Sequence, residues 1–403
     1  MIREKHSNFD RRSRIADREA IVTYKGARAG LLSEAGRGSH FAYDDGWTAD
    51  IACALPATKR DHVSRDALIP FFEHLGPEGW LRGLQARAGG AADQDDFGIL
   101  LQYGADCIGA VGILPSDGIA PVHHLDGSVA EEAAVTASRT ISGVQRKLLA
   151  WRDEATFRPS VEASDPATHI AKFNHNDEPT LVQNEALSLR LAREILGENE
   201  VTRAEPAVVA GIEGLALLVE RFDRVDGERL RLEDFAQILG KPRGPEFGGK
   251  YDASYEEAAS VIAHFSSRAR LDLVRYFKLV VFNLALGNAD AHLKNFSLLE
   301  RPEGLRLSPA YDLLNTLLYP FNRETALEIG GRKREFDTLS RPIVEAFGAE
   351  IGLPKAAVDL ALGELAKRLT DPKTLRFAAR VDEGDFRARF KAGVEENSRR
   401  ILA

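Results

Sequence analysis

Asp290-Ala291-His292-Leu293-Lys294-Asn295, followed downstream by Tyr311-Asp312, is the stretch on which the reading of this chain turns. It sets two carboxylates and an amide where a phosphoryl-transfer centre needs them. Asp290 and Asn295 keep the Asp-x-x-x-x-Asn spacing of a phosphoryl-transfer loop, in which the Asp accepts the proton of the attacking hydroxyl and the Asn holds magnesium. Asp312 adds a second, charged metal ligand. Magnesium prefers hard oxygen donors and keeps only one or two carboxylates beside its waters and phosphates. Alone, the same residues are as well explained by capping, because acidic and amide side chains crowd the loops at helix ends.

Upstream residues supply the partners such a centre requires. Thr168-His-Ile-Ala-Lys172-Phe173 alternates as a strand does, and Lys172 is comparable with the strand lysine that pairs ATP phosphates in kinases. Asn184 is placed to N-cap a helix in which Leu187, Leu191 and Ile195 share one stripe, with Gly197 just past its end. Glu185, in the first turn, is suited either to hold Lys172 or simply to complement the helix N-terminus with negative charge. Ser142-Gly143-Val144-Gln145-Arg146-Lys147 lies where a phosphate-covering loop belongs. Its glycine permits close backbone approach, and neighbouring N–H groups with Lys147 can cradle an anion. One glycine is equally the mark of an ordinary turn. Gly244-Pro-Glu-Phe-Gly248-Gly249-Lys250 matches G-x-x-x-x-G-K, yet Tyr251 stands where a P-loop needs Ser or Thr. Leu232 to Leu239 ahead of it reads as helix rather than strand, so the segment is expected to be a flexible Gly-Pro loop.

The chain has 403 residues, enough for two or three domains and a sizeable core. Its 53 Lys and Arg against 61 Asp and Glu give a formal net charge of −8, which argues against a dedicated nucleic-acid binder. Cys53 and Cys107 each stand alone, without CxxC or a histidine at metal spacing, and read as buried thiols in a reducing cytosol. Met1 to Glu19 is densely charged and lacks the apolar core of a signal peptide. The most apolar run, Leu279 to Gly287, is too short for a bilayer and reads as a core helix delivering the Asp290 loop. A cytoplasmic protein without membrane partners is expected. Ile21 to Tyr24 and Phe41 to Tyr43 suit strands of a small α+β unit, while Pro115 to Arg139, rich in Gly, Pro, Ala and Asp and carrying a solvent-exposed His123-His124 pair, reads as a linker. Gly214 to Val219 suits a central strand, and Pro354 opens a helix with Val358, Leu362, Leu365 and Leu369 on one face.

The order of these pieces resembles the HipA family of bacterial serine/threonine kinases, the toxins of type II toxin–antitoxin modules. In the first part the resemblance rests on Gly30-Leu-Leu, Phe41-Ala-Tyr-x-x-x-Trp47, Phe97-Gly and Ile108-Gly-Ala-Val-Gly-Ile-Leu-Pro115. Farther on it rests on Ser142-Gly-Val-Gln-x-Lys147, His169-Ile-Ala-Lys172, Asn184-Glu185, Val219-Glu-Arg-Phe-Asp-Arg224, Glu233-Asp234, Asn288 to Ser297 and Pro309-Ala-Tyr-Asp312. It implies an α+β, two-lobed protein-kinase-like fold: a small N-terminal α+β subdomain over residues 1–115, an N-lobe over 116–224 and a mostly helical C-lobe over 225–403. It makes Asp290 the catalytic base, Asn295 and Asp312 the Mg²⁺ ligands, and Lys172 the partner of the ATP phosphates. Glu220 and Phe222 become the adenine hinge, and Ser142, Gly143, Val144, Gln145 and Lys147 the covering loop. His292, Lys294 and Tyr311 complete the nucleotide site.

The resemblance further implies a helix-turn-helix antitoxin (HipB-like) through which DNA is contacted only indirectly, and a protein substrate in translation, plausibly an aminoacyl-tRNA synthetase. Many members carry an autophosphorylated serine two positions ahead of the loop's small residue. Here that place is Thr140, with Ser142 beside the glycine, so both hydroxyls are candidates. A phosphate adds about −1.5 to −2 charges and would repel ATP phosphates from the loop. Two other readings stay open: a small-molecule kinase using the same centre, and a non-catalytic antitoxin-binding regulator. The latter should have lost Lys172, Asp290 or Asp312, and all three are present.

Overall fold

In the computed structural model, residues 18–121, 123, 125–136, 139–141, 143, 145–175, 177–371, 373–375 and 385–403 are described. Ser142, Val144 and His124 lie outside that set. The first part is an antiparallel five-stranded sheet built from β1 (Glu19–Tyr24), β2 (Ala27–Ala35), β3 (Gly38–Tyr43), β4 (Asp61–Ser64) and β5 (Val111–Pro115), in the order β4-β3-β2-β1-β5. Lys25 and Gly26 both take positive φ in the tight β1–β2 turn, as a two-residue hairpin requires. Helices α1 (Pro70–Glu73), α2 (Gly79–Gly89) and α3 (Asp96–Tyr103) follow the fourth strand.

The segment expected to be a linker instead contains helix α4 (Val129–Thr136), whose Ala134 and Val135 pack with Leu81, Leu84 and Tyr103 of the first part. Small alanines let the two helices approach closely, so a composition that looks like linker is packed core. His123 is likewise not free in solvent: its ring lies 4.7 Å from that of Tyr103. A second sheet, ordered β7-β6-β8-β10-β9, comprises β6 (Lys147–Asp153), β7 (Thr156–Pro159), β8 (His169–Phe173), β9 (Ala204–Ala207) and β10 (Ala216–Glu220). Helix α5 (Leu181–Leu196) crosses between β8 and β9. Asn184 is not its cap. Thr180 holds the N-cap position, Asn174 Oδ1 accepts from the Val182 N–H at 2.8 Å, and Asn184 is buried within the helix. There its side chain clasps the backbone of Asn315, accepting from its N–H and donating to its carbonyl, both at 3.0 Å.

The two-stranded ribbon of β11 (Arg224–Val225) and β12 (Glu228–Arg229) leads to the helical part. Leu232 to Leu239 is only partly helical. Leu232–Asp234 forms β13, paired with β14 (Ser297–Arg301) and through it with β15 (Gly304–Leu307), before the short helix α6 (Phe235–Ile238) begins behind an Asp234–Gln237 capping box. A three-residue strand carries no period of its own; pairing with the Ser297 segment makes it. Helices α7 (Tyr255–Phe265), α8 (Ala269–Leu286), α9 (Arg341–Glu350), α10 (Lys355–Leu369) and α11 (Phe386–Leu402) form the rest. The fold is thus α+β, with two sheet-bearing parts and a mostly helical C-terminal portion.

Helix α8 delivers the Asp290 loop. From Tyr276 to Leu286 it is almost wholly buried, against Phe235, Phe296 and Phe347, and Gly287 ends it in the left-handed conformation. Its first turn is fixed by Asp272, fully buried, which accepts from Ser266, Arg275, Arg306 and the Leu307 N–H. Burial alone would raise this carboxyl, but the bonds from Arg306, Ser266, Leu307 and Arg275 hold it down at about 2. A carboxyl depressed in this way contributes stability above its unfolded value and loses it as pH falls toward 2. Asp272→Asn should therefore cost about 3 kcal/mol at neutral pH, read as a lower unfolding midpoint in urea, with the gap from wild type closing in acid.

The first part is bolted to the rest by arginines. Arg221 and Arg224 both bond Asp223, Arg224 reaches Asp106 at 2.7 Å, and the Gly109 N–H donates to Asp223 Oδ2 at 2.8 Å. Arg139 and Arg229 add ion pairs to Asp106. Burial opposes the ionisation of Asp223, yet Arg221 and Arg224 hold it at about 2. Cys107 beneath them is buried, whereas Cys53 is only partly so, and both are free thiols.

Candidate active site

A cavity of about 790 Å³ opens where the second sheet, the helical portion and the first part meet. Lys172, Asp290 and Asp312 all line it, as do Gly143, Gln145, Lys147, Glu220, Phe222, His292, Lys294 and Tyr311. Pairing of β6 and β8 sets Lys147 directly opposite Lys172, so two lysines enter from adjacent strands.

Lys172 Nζ bonds Glu185 Oε1 and Asp312 Oδ1, each at 2.6 Å. Glu185 is 1% exposed, so the first turn of α5 places its carboxylate against the lysine. Burial would lower Lys172, but Asp312 and Glu185 together raise it above the ordinary lysine value, and it stays charged. Asp312 is pulled well below the carboxylate range: burial works against this, and Lys172 and Lys147 outweigh it. Asp312 also has φ +57, a left-handed conformation uncommon for a non-glycine residue. Such outliers persist where the surroundings over-determine them, commonly at functional sites.

Asn295 Nδ2 donates to Asp312 Oδ2 at 2.7 Å, while its Oδ1 accepts from the His292 N–H at 3.1 Å. In this arrangement the amide steadies Asp312, and ligation of an ion by both residues calls for the amide to turn and exchange its oxygen and nitrogen. Among the described residues no cluster of three or more His, Cys, Asp or Glu could hold a metal by itself. Magnesium is held through one or two carboxylates together with phosphate oxygens and water. Asp312 and Asp290 supply hard oxygens at one cavity.

The remaining expected residues are placed as follows. Phe222 and Tyr311 lie 5.7 Å apart between ring centres, tilted by 47°, and with Val219, Ile108, Ile170 and Leu232 they give the cavity an apolar wall. Tyr311 donates to the Lys294 carbonyl at 2.8 Å. His292 is buried, and burial lowers it to about 4, so it is neutral at physiological pH. Gln145 is tied to the Phe173 carbonyl at 2.8 Å. Gly143 has φ +112 and lies so near Lys147 that an added Cβ would fall 2.0 Å from its Nζ, so only glycine leaves that ammonium its place. Thr140 is 1% exposed, and its hydroxyl must leave a packed position before it can accept phosphate.

Lys147 is pushed down to about 8, first by burial and then by Lys172. Its charge therefore drains as pH rises through 8, and an approaching polyphosphate would restore it. We expect MgATP binding at pH 8 to 8.5 to take up protons, seen as a dependence of calorimetric enthalpy on the buffer's ionisation heat, and nucleotide affinity to weaken as pH climbs.

The first part of the chain contributes residues that its sequence does not announce. Glu78, at the N-cap position of α2 and 2% exposed, pairs with Lys250 at 2.8 Å and Lys294 at 3.2 Å. Two lysines pull it far below the usual carboxylate range although burial opposes them. His74, brought to about 4 by burial and by Lys294, lies 3.3 Å from the Lys294 ammonium. The Gly244–Lys250 segment is not a loose loop but a pair of tight turns within Pro245–Tyr251, kinked at Glu246 and Phe247, with Lys250 buried. Tyr251 Oη donates to Asp290 Oδ1 at 2.6 Å.

Family comparisons agree with this architecture. The model of the HipA N-terminal domain matches residues 20–114, and that of the HipA-like C-terminal domain matches residues 139–372. The chain belongs to the HipA family. It is 31% identical over 379 residues to a Sinorhizobium fredii protein named "Putative kinase Y4mE", covering 85% of this chain and 86% of that one. It is 29% identical over 356 residues to the serine/threonine-protein kinase toxin HipA of Shewanella oneidensis, covering 78% and 79% respectively. A chain in the structure of the Shewanella oneidensis HipA, HipB and operator DNA complex superposes with a TM-score of 0.74 at 23% identity over 95% of this chain and 97% of that one, and so shares the HipA fold. Among the described residues no helix is long and apolar enough to cross a membrane.

Proposed function

We propose that this HipA-family chain is an ATP- and Mg²⁺-dependent serine/threonine protein kinase, the toxin of a toxin–antitoxin module. The observation that carries this reading is Lys172 bridging Glu185 and Asp312 at the wall of a cavity that Asp290 also lines. Bound Mg-ATP supplies the γ-phosphoryl group and most of the charge neutralisation. Lys172, kept charged and aimed by Glu185, would grip the phosphate oxygens, and Asp312 with Asn295 would hold the ion, which would supply charge neutralisation there. Lys147 and the loop at Gly143 would cover the phosphates. Glu220 and Phe222 border the adenine end, and His292, Lys294 and Tyr311 brace the loop that bears Asp290. Asp290 takes the proton of the Ser or Thr hydroxyl as oxygen attacks phosphorus, ADP departs with the bridging oxygen, and the phosphoryl group passes to the acceptor.

Asp290 is exposed at the cavity mouth, which suits an acceptor hydroxyl presented on another protein. By analogy with the HipA, HipB and operator DNA complex, the partner is a helix-turn-helix antitoxin, and DNA is reached through it. The substrate class is a protein of translation such as an aminoacyl-tRNA synthetase, and phosphorylation of Thr140 or Ser142 would switch the loop off by repelling ATP. Incubating the full chain with γ-labelled ATP, magnesium and a cell lysate, beside Asp290→Asn, tests this. Label on a protein acceptor with wild type alone supports it. Label confined to small molecules, or equal with the variant, overturns it. Phosphopeptide mapping that leaves Thr140 and Ser142 bare would remove the switch.

A further inference from the structure

The geometry points to Tyr251 as a positioning residue for Asp290, anchored through Lys250 and Glu78 to the N-terminal part of the chain. This deepens the kinase reading and rests on it. A carboxylate that serves as a general base must aim one oxygen at the incoming hydroxyl, and an exposed aspartate spins freely about its last bond. Here the phenol of Tyr251 bonds Oδ1 at 2.6 Å, which restrains that rotation and leaves Oδ2 for an acceptor. Among the described residues the other bonds of Asp290 are on its backbone, where its N–H donates to Asn288 Oδ1 at 3.1 Å and its carbonyl accepts from the His292 N–H at 2.8 Å.

The tyrosine is itself held on several sides. Its ring stands edge-on to His292, 5.0 Å between centres and 74° between planes, so it braces the loop that carries Asp290. Its neighbour Lys250 is 5% exposed and bonds Glu78, which is 2% exposed and also pairs with Lys294. The turn before it is tightly wound: Glu246 and Phe247 both take positive φ, and the Phe247 ring lies 5.5 Å from the Arg82 guanidinium and 4.7 Å from that of Arg243. Left-handed non-glycine residues are sustained only where surrounding contacts dictate them. Two buried ion pairs on one glutamate, a cation against Phe247 and a phenol on the base form a single chain of contacts. Burial first, and then Asp290, hold the phenol firmly protonated, so it remains a hydrogen-bond donor at any working pH.

The test uses the full chain and the labelled lysate acceptor described above. Tyr251→Phe removes the hydroxyl and keeps the ring on His292, so the fold should persist, as an unchanged melting midpoint would show. We expect the transfer rate at saturating ATP to fall roughly 10- to 100-fold, as befits loss of a hydrogen bond to a charged group, while the affinity for a fluorescent ATP analogue stays within about twofold. In an Asp290→Asn background the same change should subtract nothing more, because the tyrosine acts only through that carboxylate. A Tyr251→Phe rate equal to or above wild type overturns the proposal, as does a parallel loss of nucleotide affinity or a full additional loss in the Asp290→Asn background. Wild-type protein that labels no acceptor removes the kinase reading and this inference with it, an outcome distinct from equal labelling by wild type and variant.

Discussion

Asp290→Asn leaves a folded, nucleotide-binding protein whose phosphoryl transfer falls by roughly 10²- to 10⁴-fold, the usual share of a positioned general base. The amide keeps the size and outline of the carboxylate, can still accept from Tyr251, and disturbs no buried charge, since Asp290 lies exposed at the cavity mouth. What it loses is the capacity to take a proton. The expected signature is an unchanged melting curve and an unchanged nucleotide titration, with kcat alone collapsing. More than about a tenth of the wild-type rate in the purified variant would contradict the role, because a base worth so little falls below the usual range.

Lys172→Met should damage both chemistry and fold. Removing the ammonium takes its bonded cation from Glu185, which is 1% exposed, and from Asp312, leaving Lys147 as the cation that still acts on both. Breaking a buried pair from one side typically costs about 3 to 5 kcal/mol. The loss should also depend on pH in a definite direction. Without its partner Glu185 is a buried acid whose folded pKa lies above its unfolded value, a shift that burial already favours in the native protein. Such a group destabilises above the unfolded value and ceases to do so as protonation neutralises it. The stability gap between variant and wild type should therefore be wide at pH 8 and narrower at pH 5, measured by urea unfolding at each. A gap that does not change with pH would show that lost packing of the alkyl stem, rather than an unpaired charge, carries the cost. Replacing Lys172 and Glu185 together by apolar residues should recover part of the stability without any transfer activity.

The cavity was legible in the sequence wherever chemistry sits within a few residues of itself. Asp290 and Asn295 share a spacing and Lys172 closes a strand; Asp290, Asp312 and Lys172 line the cavity, while Asn295 meets it through its bond to Asp312. Asn184 shows where that logic fails. Its side chain suits an N-cap, but Asn174 already serves that end of the helix, and a partner far along the chain at Asn315 claims the amide. Leu232–Asp234 becomes a strand only because Ser297–Arg301 lies beside it. Glu78, His74 and Tyr251 were beyond reach for the same reason: each gains its meaning from a residue more than thirty positions away, and no periodicity records such meetings. The Gly244–Lys250 stretch did carry a signal. Its composition reads as a flexible Gly-Pro loop, yet Lys250 is buried and Tyr251 bonds Asp290.

Arg221, Arg224, Arg229 and Arg139 converge on two aspartates that sit on opposite sides of the apparent join at residue 115, Asp106 before it and Asp223 after it. A gene trimmed to begin past that point would translate a polypeptide in which Arg139, Arg224 and Arg229 lack Asp106, and Lys250 and Lys294 lack Glu78. Expression or engineering of this chain should therefore keep both parts together, or replace these partners where the parts are separated.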